Sequence, residues 1–151
     1  MVGNADYRRL FSSPENFELL ESLSEEKANY RYAPGKWSIK DNIVHLVSYQ
    51  PVFMGRIHQM LKGGTPVFSA YRADDEPDFL QARELPLNEL NRKLIGNRRQ
   101  ILELITNLPD DDLLLQGTHP KYGTLTITEW TEFFLLHEAH HLFTIFKLAK
   151  G

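Results

Sequence analysis

The sequence has 151 residues and contains no cysteine. This absence excludes disulfides, cysteine–zinc sites, iron–sulfur clusters and a cysteine nucleophile. If thiol chemistry takes place on this protein, the thiol must therefore come from a small molecule.

Long apolar runs and a surplus of basic residues are also missing. No run of 18 apolar residues occurs, so the sequence predicts neither a membrane-spanning helix nor a membrane partner. The first residues lack the apolar segment of a secretory signal, and we expect a cytoplasmic protein. With 17 Lys and Arg against 20 Asp and Glu, the net charge is −3. No face of clustered Lys and Arg is visible, so we expect no nucleic-acid partner.

The apolar residues that are present follow a helical pattern. Their share of 42% and the length of the chain are typical of one globular domain, which we place at residues 1–151. Little of the chain is predicted as strand apart from a short extended pair around residues 122–127. The predicted helices cover about residues 6–27, 38–61, 87–108 and 126–150.

These four helices predict an all-α fold, a four-helix bundle with a long connection between the second and third helices. Ser38 and Thr126 each begin a capping box, a hydroxyl followed three residues later by a carboxylate. Pro51 removes a backbone donor inside the second helix and is expected to kink it. The connection, residues 63–86, is long enough for a functional or covering loop.

The strongest chemical signal is the segment His137-Glu138-Ala139-His140-His141 in the fourth helix. Residues four apart lie on one helix face, so His137 and His141 present their imidazoles to one point. Two imidazoles on an inward face need a shared partner, and a metal cation is the natural one. That face is predicted to point inward because it also carries Trp130, Phe134, Ile145 and Leu148.

Other interpretations of this segment exist. The histidines could be ordinary core or surface residues, because a bare HxxxH arises often by chance. His137 could instead pair with His140, since residues three apart also meet. That pairing is formally the H-E-x-x-H motif of zincins, with Glu138 as general base. It conflicts with the inward face and needs a sheet that the sequence does not predict.

A third ligand must come from another helix, and His45 in the second helix is the candidate. Three neutral imidazoles leave a position open for water or substrate, which is the pattern of a catalytic metal site. Tyr49, Arg56 and Asn97 are candidates to shape the pocket. For Asn97 and the adjacent Arg98, the alternative is an ordinary polar seam residue beside a snorkelling arginine.

Residues 32–39, Tyr-Ala-Pro-Gly-Lys-Trp-Ser-Ile, are followed by His45-Leu46 and by the HxxxH pair near the C-terminus. This order resembles the DinB/YfiT-like family over essentially the whole chain. The resemblance implies a four-helix bundle with a divalent metal, zinc or nickel, on three histidines. His45, His137 and His141 occupy the matching positions, whereas Pro51 is not part of the usual pattern.

The resemblance also implies a reaction class. Activities in the family include S-transfer with bacillithiol, mycothiol or glutathione, and maleylpyruvate isomerisation. We therefore expect a metal-dependent hydrolase or thiol transferase that activates water or a low-molecular-weight thiol against a small electrophile. The alternative is a non-catalytic metal-binding stress or binding protein that keeps the fold.

The far side of the fourth helix predicts an assembly. It carries a second apolar face, which something must cover because large exposed apolar patches are rare on monomers. The N-terminal residues or the long connection could cover it. We expect instead a homodimer with Phe146 at its centre, since twofold dimers are the commonest soluble assembly. The predicted face consists of Leu135, Ala139, Leu142 and Phe146.

Overall fold

The computed structural model describes residues 18–73 and 76–151, and these are mainly helical. The three long helices are α3 (Ile39–Leu61), α5 (Leu87–Thr106) and α6 (Ile127–Lys150). The short ones are α1 (Glu18–Glu21), α2 (Glu25–Asn29) and α4 (Pro77–Arg83). An antiparallel hairpin of β1 (Gln116–His119) and β2 (Gly123–Thr126) precedes α6.

The second, third and fourth predicted helices are confirmed as α3, α5 and α6. The prediction for the first helix falls partly on residues 1–17, which lie outside the described residues. Its remainder forms α1 and α2 rather than one continuous helix. The break has a local cause, because the Ser24 side chain accepts a hydrogen bond from the backbone N–H of Lys27 and so caps α2.

Helix α3 lies at the centre of the fold, where it packs along both α5 and α6. Its start is fixed by the predicted capping box: Ser38 Oγ accepts from the Asp41 N–H at 3.1 Å, and Asp41 Oδ2 accepts from the Ser38 N–H at 2.9 Å. Residues 41–50 are all buried. The helix runs through Pro51, whose side chain is exposed, and ends only at Leu61.

The long connection after α3 is held against the rest of the fold. It contains α4, which the sequence did not predict. The backbone of Phe68 donates to Thr118 in β1 at 3.0 Å, and Thr118 donates back to Pro66 at 2.8 Å. Arg56 in α3 donates to the Ser69 carbonyl at 2.8 Å. The first part of the connection is therefore a fixed covering segment.

Helix α6 is buried over a wider arc than predicted, and this corrects the proposed outer face. Leu135 is buried and Leu142 is half-buried, because both pack into the apolar core. The exposed apolar side chains are Leu136, Phe143 and Phe146, at 56%, 59% and 46% exposure. The inward face is confirmed, with Trp130, Phe134 and Ile145 buried and Leu148 half-buried.

Candidate metal centre

Three histidines from two helices meet between α3 and α6. One ring nitrogen each of His45, His137 and His141 can be chosen so that all lie within 4.8 Å of one another. Nε2 of His45 lies 2.8 Å from Nε2 of His137. His45 is brought to the helix pair because α3 and α6 pack along each other. Among the described residues, this is the group of His, Asp and Glu side chains whose geometry suits a metal ion.

The orientation of His141 is set by Asn42, which lies one turn before His45 in α3. Asn42 Nδ2 donates to the Ser38 carbonyl at 2.9 Å, so its Oδ1 is the acceptor that faces the histidine. That Oδ1 lies 2.8 Å from Nδ1 of His141. Nδ1 must therefore carry the proton, which leaves the Nε2 lone pair of His141 free to bind a cation.

All three rings are neutral near pH 7. Burial lowers the pKa of His45 to about 3, and the neighbouring His141 lowers it further. Burial, followed by the charges of nearby histidines, lowers the pKa of His137 to about 4 and that of His141 to about 3. Imidazoles must be deprotonated to bind a metal, so these pKa values favour ligation at neutral pH.

Aromatic rings surround the histidines. The Trp37 ring lies 5.2 Å from that of His45 and stacks on Phe79 of α4. Tyr71, from the covering segment, stacks on His45 at 5.8 Å between centroids. Tyr49 lies 4.9 Å from the His137 ring. These rings make a mainly apolar wall, which excludes water from the sides of the site.

The structure separates the three pocket candidates. Tyr49 lies at the histidines, and burial raises the pKa of its hydroxyl. Arg56 is buried one step further away, where its guanidinium lies over the rings of Phe68 and Trp130. Asn97 lines a different cavity, of about 390 Å³, whose lining includes none of the three histidines.

Glu138 has a different role from the one that the zincin interpretation gave it. Its Oε2 accepts a hydrogen bond from Arg98 Nε at 2.7 Å, and the two side chains are 3% and 0% exposed. Glu138 therefore points into the protein toward α5 rather than to a metal. The snorkelling interpretation of Arg98 is wrong for the same reason, since its guanidinium is fully buried. His140, the second histidine of the zincin pairing, is exposed.

The sequence interpretation missed two residues at this site. Asn42 was placed beside His45 without a role, and the signal for one was its position one turn away on the same face. Trp37 was quoted only as part of a motif, although its place just before the capping box holds it over His45 and His141. Neither contact follows from periodicity alone.

A comparison with known families decides the relationship. Residues 14–145 match the model of a family described as the DinB superfamily. The chain belongs to the DinB superfamily. A relative from Bacillus subtilis (strain 168), the uncharacterized protein YuaE, is 24% identical over 140 residues, covering 85% of this chain and 86% of YuaE.

Solved structures with a similar fold include proteins of different description. YfiT from Bacillus subtilis, described as a probable metal-dependent hydrolase with an unusual four-helix bundle topology, has a TM-score of 0.81 at 17% identity, over 97% of this chain and 85% of YfiT. A mycothiol-dependent maleylpyruvate isomerase has a TM-score of 0.73 at 10% identity, over 91% of this chain and 58% of that one. The colibactin self-resistance protein ClbS, solved with a double-stranded DNA, has a TM-score of 0.72 at 18% identity, over 95% and 93%. At these identities the likeness shows the fold, which confirms the predicted four-helix bundle.

Hydropathy gives no candidate for a membrane span. Within residues 18–73 and 76–151, no helix combines the length and the apolar character needed to cross a bilayer.

Proposed function

We propose that His45, His137 and His141 bind one divalent metal ion, zinc or nickel. The observation that carries this proposal is the convergence of three buried, neutral imidazoles, one of them held by Asn42 with its Nε2 free. Imidazole nitrogens suit both metals. The donor set therefore fits a metal, and three protein ligands leave room for an exogenous one.

The proposed activity is hydrolysis, or S-transfer from a low-molecular-weight thiol, to a small electrophile. A bound metal lowers the pKa of water or of a thiol such as bacillithiol, mycothiol or glutathione, and so supplies a nucleophile near neutral pH. The chain has no cysteine, so a thiol has to be a cosubstrate. The mycothiol dependence of the isomerase with this fold supports the thiol branch.

The residues around the histidines would perform three tasks. Asn42 holds His141 in the tautomer that binds. The rings of Trp37, Tyr49 and Tyr71 form the walls and limit the site to a small substrate. Arg56 fixes the covering segment that carries Tyr71, through its hydrogen bond to the Ser69 carbonyl.

A screen of thiols against electrophiles tests this proposal. Zinc- and nickel-loaded protein is assayed with water and with each of the three thiols against a haloalkane, an epoxide, an activated ester and maleylpyruvate. We expect turnover that a chelator abolishes and that His137→Ala lacks but His140→Ala, at an exposed neighbour, keeps. Metal-loaded protein without turnover would overturn the enzyme and favour the alternative, a metal-binding stress or binding protein.

The remaining expectations on partners also stay proposals. We propose a small-molecule substrate, a cytoplasmic location, a single domain over residues 1–151, a homodimer and no nucleic-acid partner. ClbS was solved with DNA, so the last point needs its own support, and the net charge of −3 with no basic cluster in the sequence supplies it. Retardation of a DNA duplex at physiological salt would contradict it.

A further inference from the structure

The outer face of α6 is a stripe of side chains that point away from the core. Leu136, Phe143 and Phe146 on it are about half exposed, and Ala139 between them is exposed as well. Lys147 lies over the Phe143 ring at 4.7 Å and covers only part of it. Contiguous apolar surface of this kind on a folded protein marks an interaction site.

The order of residues along this outer face is self-complementary. Leu136 and Phe143 lie equally far from the midpoint between Ala139 and His140, and so do Glu132 and Lys147. At 100° per residue, these four side chains fall within about 60° of one another around the helix. A second copy turned end over end would place Leu136 opposite Phe143 and each Glu132 opposite a Lys147.

We infer that the outer face is the interface of a twofold homodimer in which two α6 helices pack antiparallel, centred between Ala139 and His140. A twofold interface uses the same patch on both subunits, so the patch must match itself, as this one does in both apolar contacts and charge. Opposite charges across such a contact set its register and orientation.

Two exposed tyrosines extend the same interface. Tyr122 lies beside Phe133 near the start of α6, and Tyr32 donates its hydroxyl to the Leu148 carbonyl near the end. Their exposures are 54% and 44%. Antiparallel packing brings the start of one α6 to the end of the other, so it places Tyr122 near Tyr32 of the second copy. The contact thereby gains area beyond one helix pair, which a stable interface requires.

This interface does not depend on the proposed function. His137 and His141 point inward from the same two turns, so the metal ligands and the dimer contact lie on opposite sides of α6. A protein without metal should still dimerise, and a monomeric variant should still bind metal. The two proposals can therefore fail separately.

A charge-swap experiment tests the register. Glu132→Lys and Lys147→Glu each place like charges together in a homodimer, and each should weaken self-association about tenfold. Mixing the two variants restores opposite charges at both contacts. We expect a heterodimer in native mass spectrometry and sedimentation, about as tight as the wild-type dimer. Glu103→Lys, an exposed charge reversal on α5, is the matched control and should leave the wild-type dimer intact.

The outcomes are decisive in both directions. A wild-type dimer that Phe143→Asp converts to a folded monomer, together with the heterodimer of the swapped pair, supports the proposal. A wild-type monomer at micromolar concentration overturns it. So does a dimer that neither Phe143→Asp nor the charge reversals weaken, because its contact would lie elsewhere.

Discussion

Oδ1 of Asn42 lies 2.8 Å from Nδ1 of His141, and Nδ2 of the same amide donates to the Ser38 carbonyl at 2.9 Å. The residue that caps α3 therefore also fixes the amide that orients a histidine of α6. This links the start of one helix to the chemistry of another, and it makes Asn42 part of the proposed metal centre without being a ligand.

Replacing Asn42 with Ala should weaken metal binding by about 10- to 100-fold, the usual cost of losing the partner of a metal-bound histidine. The affinity is measured by competition with a chromophoric chelator. Gln50→Ala is the control, because Gln50 is also a buried amide of α3 but donates to Leu94. An equal loss of affinity in both variants would mean that Asn42 acts only through general stability.

The buried pair of Arg98 and Glu138 should matter for stability rather than for metal binding. Arg98→Met or Glu138→Leu alone leaves an uncompensated buried charge and should reduce the free energy of unfolding by about 3–5 kcal/mol. The double variant should recover much of this loss, since neither charge remains. Urea denaturation of the four proteins measures it. If the double variant lost the sum of the single losses, the two side chains would not act as a pair.

The metal-free protein should lose stability in acid because of its three buried histidines. The unfolded chain takes up protons below pH 6.5, whereas the folded pKa values are about 3, 4 and 3. The unfolded state thus binds more protons as the pH falls from about 6.5 to about 4, and the free energy of unfolding drops by at most about 1.4 kcal/mol per pH unit and histidine.

Denaturation midpoints of chelator-treated protein at pH 7, 6 and 5 check this dependence. His141→Gln should flatten it, because one of the three groups is gone. His58→Gln, which removes an exposed histidine of α3, should not. The same slope in wild type and His141→Gln would show that other groups cause the acid sensitivity.

Much of this arrangement could be predicted from the sequence, since it depends on local signals. The capping boxes at Ser38 and Thr126 set the starts of α3 and α6, and the HxxxH spacing placed two imidazoles on the inward face. The zincin alternative could not be settled in that way, because only the packing of α5 against α6 shows that Arg98 holds Glu138.

Other features depend on contacts between distant segments, which periodicity does not encode. Helix α4 in the long connection was missed, and the outer face of α6 was predicted one residue out of place. In the second case, a wheel shows which side chains share a direction but not how much of the helix its neighbours cover. Leu135 and Leu142 are covered by core contacts, and Phe143 is not.

The central claim is that His45, His137 and His141 bind a metal ion, and the most direct test is elemental analysis of protein purified without an affinity tag. Wild type and His140→Ala should carry about one zinc or nickel ion per chain, whereas His45→Ala, His137→Ala and His141→Ala should each carry almost none. The matched pair of neighbouring histidines decides the geometry. If His140→Ala lost the metal and His141→Ala kept it, the zincin pairing would be correct and this account of the site would be wrong.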